Sequence, residues 1–240
     1  TIGRRQRQMC IRDSILVAGG TGTRMNRPVA KQFLPLGDRP VIVHTLERFR
    51  EAVPDLFVVL VLHESLHEEW AEVVRAHPTA AVDRVVNGGA ERFHSVRNGL
   101  DALPAEPGLV GIHDAVRPLV EVETIRRCYE AAEAFGGAIP LVPVKDTIRR
   151  IGEGGSAPLD RAELRAVQTP QVFDLPALRD AYAVEYAPHF TDDATVWEAS
   201  GRPVAPVEGD LHNIKLTTPE DLLSAEAVSY THLTLPTTYG

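Results

Sequence analysis

The stretch ILVAGGTGTRMNRPVAKQ, Ile15 to Gln32, joins a short apolar run to a glycine-rich loop and then to two cations, Arg24 and Lys31. Glycines let a backbone approach a ligand closely and present its N–H groups, and cations beside them suit an anion, a phosphate first of all. The loop opens like a dinucleotide-binding turn at Gly20 and Gly22. However, Met25 stands at the third glycine position, and Asp38, the acidic residue nearest the expected spacing, falls in a turn. A Walker A loop is excluded as well, because Arg24-Met25 supplies neither the lysine nor the magnesium-binding hydroxyl. Two readings remain: a cradle for a polyphosphate whose developing charge is neutralised by Arg24 and Lys31, or a plain strand-to-helix turn with solvated cations.

Outward from the loop, strands and helices alternate. Residues 40–50 repeat apolar positions at helical spacing (Val41, Ile42, Thr45, Leu46, Phe49), with Pro40 suited to a first helical position. Leu56 to Leu62 is a continuous β-rich run, Ser65 to Ala76 a polar helix, and VDRVVNGG a strand closing on two glycines. Glu91 to Leu103 is helical, LVGIHDA a strand, Glu121 to Phe135 a helix and AIPLVPV a further strand. This order predicts a single Rossmann-like α/β domain, a mostly parallel sheet with helices on both faces. Ligands of such sheets bind beyond the carboxyl ends of the strands, which directs attention to residues 19–31, 88–95, 114–117 and 145–147. Between Ile148 and Ala166 the rhythm breaks, and GEGGSAPLD offers no core. That segment reads as a projecting β-arm, suited to contact with a second subunit.

Composition bounds the function. The net charge of −8 argues against a nucleic-acid binder, and no apolar run approaches the roughly 18 residues of a membrane span. Cys10 and Cys128 lack any metal or disulfide spacing, which fits a reducing cytoplasm. Both ends look foreign: residues 1–14 are basic and aperiodic, and residues 229–240 add Thr and Pro without periodicity. Read as non-native extensions, they leave a domain spanning 15–228. Arg12 and Asp13 fall where a longer central strand would bury them, so the first strand is expected to start near Ser14.

The motifs AGGTGTRM and KQFLPL resemble the amino-terminal signature of the sugar-phosphate nucleotidyltransferases. With GGAERFHSVRNGL, GIHDAVRP, PVKDTIRR, VQTPQVF, TDDATVWEASG and EGDLHNIKLTTPEDL in order, the chain resembles the methylerythritol phosphate cytidylyltransferases of non-mevalonate isoprenoid biosynthesis, from about Ile15 to Val228. The resemblance implies a homodimeric enzyme joined through the arm, using CTP, methylerythritol phosphate and Mg2+. CTP would lie along Ala18, Gly19, Gly20, Thr21, Gly22 and Thr23, with its cytosine held by Gly89, Ala90, Arg92 and Ser95. Arg24, Lys31 and Lys215 match the family's catalytic cations, although Lys215 by itself is an ordinary strand-end lysine. Where the family often has an acidic residue, this chain has Ala90.

Asp114 on its own reads as a helix cap, a magnesium-side ligand or a hydroxyl acceptor. The resemblance implies that it faces the acceptor substrate together with Ala115, Arg117, Thr147, Arg161 and Thr169, with Arg161 and Thr169 serving the partner subunit's site. His113 reads as a packed, hydrogen-bonded side chain, and His44, His63 and His94 carry no chemistry. TDDA (Thr191 to Ala194) reads as a capped helix start. A ribitol 5-phosphate cytidylyltransferase shares the CTP half and is the nearest alternative. A catalytically silent nucleotide-binding protein on the same fold is the other.

Overall fold

The computed structural model describes residues 11–20, 29–152 and 154–234, with side chains through Ser229. Its centre is β1 (Ile11–Ala18). After the short ribbon β2 (Pro35–Leu36) and β3 (Arg39–Pro40) comes α1 (Val41–Ala52), with Pro40 as its cap rather than its first turn. Next come β4 (Phe57–Leu62), α2 (His67–Ala76), β5 (Arg84–Asn87), α3 (Arg92–Ala102), β6 (Gly108–Asp114) and α4 (Val122–Phe135), which ends on Gly136 in the left-handed conformation. β1 pairs in parallel with β4 and β6, and β4 with β5, as the alternation predicts.

The period-two alternation of strand side chains divides the core. Leu16, Val58, Leu60 and Leu62 face α1, α2 and α4 with Phe49, Trp70 and Tyr129, whereas Ile15, Val59 and Val61 face α3. The same second face is closed by α5 (Leu175–Ala181) and α6 (Asp193–Ala199) through Leu178 and Trp197. Each fully buried Leu or Ile contributes about 1.5–3 kcal/mol. α7 (Pro219–Thr234) seals a smaller cluster in which Leu222 and Ala225 meet Leu34, Leu36, Val116 and Leu216. Among the described residues, no helix is long and apolar enough to cross a membrane.

The expected start of the first strand is corrected. β1 begins at Ile11, ahead of Ser14. Arg12 escapes burial by reaching Glu133 at 3.3 Å and lying over the Tyr129 ring. Asp13 does not: it is 1% exposed, and neither carboxylate oxygen has a hydrogen-bond partner among the described residues. Burial pushes its pKa up to about 6. Ladder pairing of Asp13 with Phe57 and Val110 on either side carries the strand through despite that cost.

The mostly parallel sheet also holds antiparallel members. β11 (Gln171–Asp174), which begins inside VQTPQVF, lies between β6 and β7 (Gly137–Pro143) and is antiparallel to both. Beside it β10 (Arg165–Val167) runs antiparallel along the later half of β7, and β12 (Ala205–Glu208) pairs in parallel with β7's other edge. Within the broken-rhythm segment, β8 (Arg149–Gly152) and β9 (Gly155–Pro158) form an exposed hairpin outside the main sheet, as expected of an arm.

Candidate active site

The carboxyl ends of β1 and β6 open onto a cavity of about 460 Å³ that is also bordered by the turn entering α3 and by Lys215. Ala18, Gly19, Gly20, Lys31, Gly89, Ala90, Arg92, Ser95, Asp114 and Lys215 all border it. One space therefore gathers motifs spread over most of the sequence. Thr21, Gly22, Thr23 and Arg24 lie outside the described residues. A groove of about 600 Å³ between α1, the 118–123 turn and the end of α7 is larger but holds none of the predicted site residues.

Two glycine turns meet at Ser95. A Cβ on either Gly19 or Gly88 would stand 3.3 Å from its hydroxyl oxygen, tight for any side chain. That hydroxyl accepts from the Gly89 N–H at 3.0 Å and donates to the Glu91 carbonyl at 3.1 Å, which fastens the 88–91 turn. A Cβ on Gly89 would collide with His94 at 2.3 Å, so only glycine allows this close return of the chain. Behind Lys31, the buried Gln32 donates from Nε2 to the Ala18 carbonyl at 3.1 Å and ties the far side of the loop to β1.

Asp114 is the electrostatic centre. Its Oδ2 lies 3.0 Å from Lys215 Nζ and 3.3 Å from Arg117 Nε, and its Oδ1 lies 3.9 Å from Arg92 Nε. Burial alone would raise its pKa, but Arg92, Lys215 and Arg117 outweigh it and hold the carboxyl below the usual carboxylate range. Arg117 donates onward to the Asn213 carbonyl at 2.7 Å, which anchors the segment that delivers Lys215. Ala115 is fully buried, its N–H bonded to Val17 and its carbonyl accepting from Thr45, so it fixes the backbone beside Asp114.

Thr169 is buried beneath Asp114 rather than bordering the cavity. Its hydroxyl oxygen accepts from the Asp114 N–H at 3.2 Å and lies 2.9 Å from His113 Nδ1, while the Asn213 amide donates to its carbonyl. His113 is fully buried and, mainly through that burial, its pKa is pushed down to about 3. The neutral ring accepts from Thr169 at Nδ1 and donates from Nε2 to the Arg117 carbonyl at 3.3 Å, an assignment made from these partners. His113 is thus the packed, hydrogen-bonded residue expected from the sequence. Thr147, exposed at the base of the arm, and Arg161, exposed on it and donating to the Lys145 carbonyl at 2.6 Å, do not border this chain's own cavity.

Gln32, Asn213 and Asp193 escaped the sequence reading. Asp192 caps α6 with a full capping box, as TDDA suggests, but the adjacent Asp193 is wholly buried and bonded to Arg92. The only sequence signal was the second acid of the pair. The donors around Asp114 do not suit a resident metal, since two basic side chains already approach its Oδ2 and a third faces its Oδ1. Among the described residues, no cluster of three His, Cys, Asp or Glu side chains could hold one.

The family model for 2-C-methyl-D-erythritol 4-phosphate cytidylyltransferase matches residues 13–230. The enzyme of that name from Bacteroides thetaiotaomicron is 49% identical over 214 residues, covering 89% of this chain and 97% of its own. That of Bacteroides fragilis is 46% identical over 220 residues, covering 92% and 100%. Among solved structures, the Thermus thermophilus enzyme of that name superposes with a TM-score of 0.71 at 33% identity, over 90% of this chain and 98% of that one. The 4-diphosphocytidyl-2C-methyl-D-erythritol synthase of Anaerococcus prevotii gives 0.79 at 27% identity, over 92% and 96%. With a family model matching residues 13–230 and relatives up to 49% identical over nearly their whole length, the chain belongs to the 2-C-methyl-D-erythritol 4-phosphate cytidylyltransferase family.

Proposed function

We propose that this chain transfers CMP from CTP to 2-C-methyl-D-erythritol 4-phosphate, giving 4-diphosphocytidyl-2-C-methyl-D-erythritol and pyrophosphate. The observation that carries the reading is the convergence of Lys31, Arg92, Lys215 and Asp114 on one cavity beside the Gly19–Gly20 turn, in a chain of this family. Among the described residues the cavity offers cations and backbone N–H groups but no activated nucleophile, since the Ser95 hydroxyl is committed to Glu91.

That equipment matches the chemistry. The acceptor's phosphate monoester has a second pKa of about 6, so at neutral pH it is already largely dianionic and needs no general base. One of its oxygens attacks the α-phosphorus of CTP in line. The bond from α-phosphorus to the bridging oxygen breaks, and pyrophosphate leaves with the electron pair. The protein's contribution is alignment and charge neutralisation. In this reading Arg24, Lys31 and Lys215 stabilise the charge gathering on the phosphates, the 88–91 turn reads the cytosine edge, and Asp114 accepts hydrogen bonds from acceptor hydroxyls. The divalent cation implied by the family would arrive on the triphosphate, where it reduces repulsion between the two anions.

The arm completes the proposal. Thr147 and Arg161 do not border this chain's cavity, and both are exposed, at the start of and along a segment whose Ile151 is 76% exposed. An arm lent by a second copy would bring Arg161, a fork-shaped phosphate clamp, to the acceptor. A cytoplasmic location fits Cys128, a buried free thiol. The direct test is 31P NMR of CTP and methylerythritol phosphate incubated with enzyme and magnesium. Loss of the monoester resonance with growth of a diphosphate diester and pyrophosphate is expected. A persistent monoester signal would overturn the reading.

A further inference from the structure

Asp193 lies wholly inside the protein. Its two carboxylate oxygens accept hydrogen bonds of 2.9 and 2.7 Å from Arg92, and Oδ1 accepts a third of 2.6 Å from the Tyr182 hydroxyl. A buried carboxylate persists only where charge and hydrogen bonds offset its lost hydration, and the fork-to-fork pairing does so here. Arg92 opens α3 and borders the cavity, with its remaining nitrogen, Nε, 3.9 Å from Asp114 Oδ1. One guanidinium thus spans two carboxylates, one deep and one at the cavity.

Gln171 fixes the deep one. Its Nε2 donates to Asp192 and its Oε1 accepts from the Ala194 N–H, both at 2.8 Å, so the residues flanking Asp193 are tied to β11 by a single side chain. β11 in turn pairs with β6, the strand that ends in Asp114. Asp193 and Asp114 are therefore held in fixed relation by the sheet, with Arg92 between them.

We infer that Asp193 is a positioning residue for the acceptor side of the site: it locks the Arg92 guanidinium so that its Nε edge steadies Asp114 against Lys215 and Arg117. The inference rests on the proposed function and deepens it. Because Asp193 neutralises Arg92 and turns its free Nε toward Asp114, this arginine contributes little net charge to the triphosphate, and its loss should register on the acceptor rather than, as the cytosine contact implied by the resemblance would have it, on CTP.

The test is a double-mutant cycle on Asp193→Asn and Arg92→Gln, with kcat and KM measured for both substrates. Each single variant is expected to lower kcat/KM for methylerythritol phosphate about 30-fold, with the KM for CTP within about 3-fold, because small misplacements at a reacting centre are costly. The double variant should be no more than about 2-fold worse than the poorer single one. Losses that multiply, or that fall equally on CTP, overturn the inference. Asp193→Asn also weakens the fold, so Tyr182→Phe, which removes a hydrogen bond from the same carboxylate without touching Arg92, separates the two effects. It should lower the melting temperature yet keep kcat/KM within about 3-fold of wild type. A loss matching that of Asp193→Asn would assign the effect to packing and overturn the inference. Wild-type turnover without coupling defeats this inference alone, whereas no wild-type turnover defeats the parent reading and this one with it.

Discussion

Lys215 Nζ lies 3.0 Å from Asp114 Oδ2, and the same oxygen lies 3.3 Å from Arg117 Nε. The lysine that sequence alone reads as a solvated strand-end cation lies instead in the loop between β12 and α7, where a carboxylate at the end of a central strand draws it to the cavity. Replacing Lys215 by Ala removes a cation proposed to act where charge develops, so kcat should fall about 100- to 1,000-fold, with a smaller change in the KM for CTP. Steady-state kinetics decide this, and equal changes in both would contradict it.

Lys31 should behave similarly for a different structural reason. It borders the cavity from the far side of the glycine loop, next to Gln32, whose amide ties that segment to β1. Lys31→Ala should lower turnover far more than it weakens CTP binding, measured by calorimetry without acceptor. Matching losses would assign Lys31 to ground-state binding.

The strands, the helices and the cavity's place at the strand ends were legible because period-two and period-3.6 patterns report burial directly. The order of the sheet was less so. VQTPQVF reads as a motif, and nothing local says that its last residues insert between β6 and β7, since pairing partners are chosen by long-range packing. Asp193 was hidden for a related reason: an acid beside a helix cap resembles any other until the fold brings Arg92 to it across about 100 residues of sequence. Asp13 misled in the opposite sense, because the rule against burying charge was sound but ladder pairing overrode it.

Asp13 makes stability depend on pH. Its pKa is pushed up by burial to about 6, so the fold binds its proton more tightly than the unfolded chain does. The benefit of that proton is complete below the ordinary carboxyl range and is lost as pH rises through about 6. Above that, a charged and unpartnered carboxylate remains in the core. Asp13→Val should raise stability at pH 7.5 by about 1–3 kcal/mol and flatten its pH dependence between pH 4 and 6. Thermal melts across that range test both. An unchanged profile would mean that the carboxyl reaches water.

Arg161 on the arm carries the dimer proposal. Arg161→Ala should raise the KM for methylerythritol phosphate about 10-fold and leave the KM for CTP near its wild-type value, because a phosphate clamp is lost. Mixing Arg161→Ala with Lys215→Ala chains should restore part of the activity, since one site of each mixed pair would then hold both native residues. Absence of any recovery, with mixed dimers demonstrated by mass spectrometry, would place Arg161 in its own chain's site.

The most direct test of the central claim is pyrophosphate release with CTP and magnesium, run in parallel with methylerythritol 4-phosphate and with ribitol 5-phosphate. Release with methylerythritol 4-phosphate alone is predicted, from a site whose acceptor half is proposed to combine Asp114, Arg117 and the arm. Release with ribitol 5-phosphate alone would keep the CTP half and overturn the substrate, and release with neither would contradict the account, leaving a fold that binds a nucleotide without turning it over.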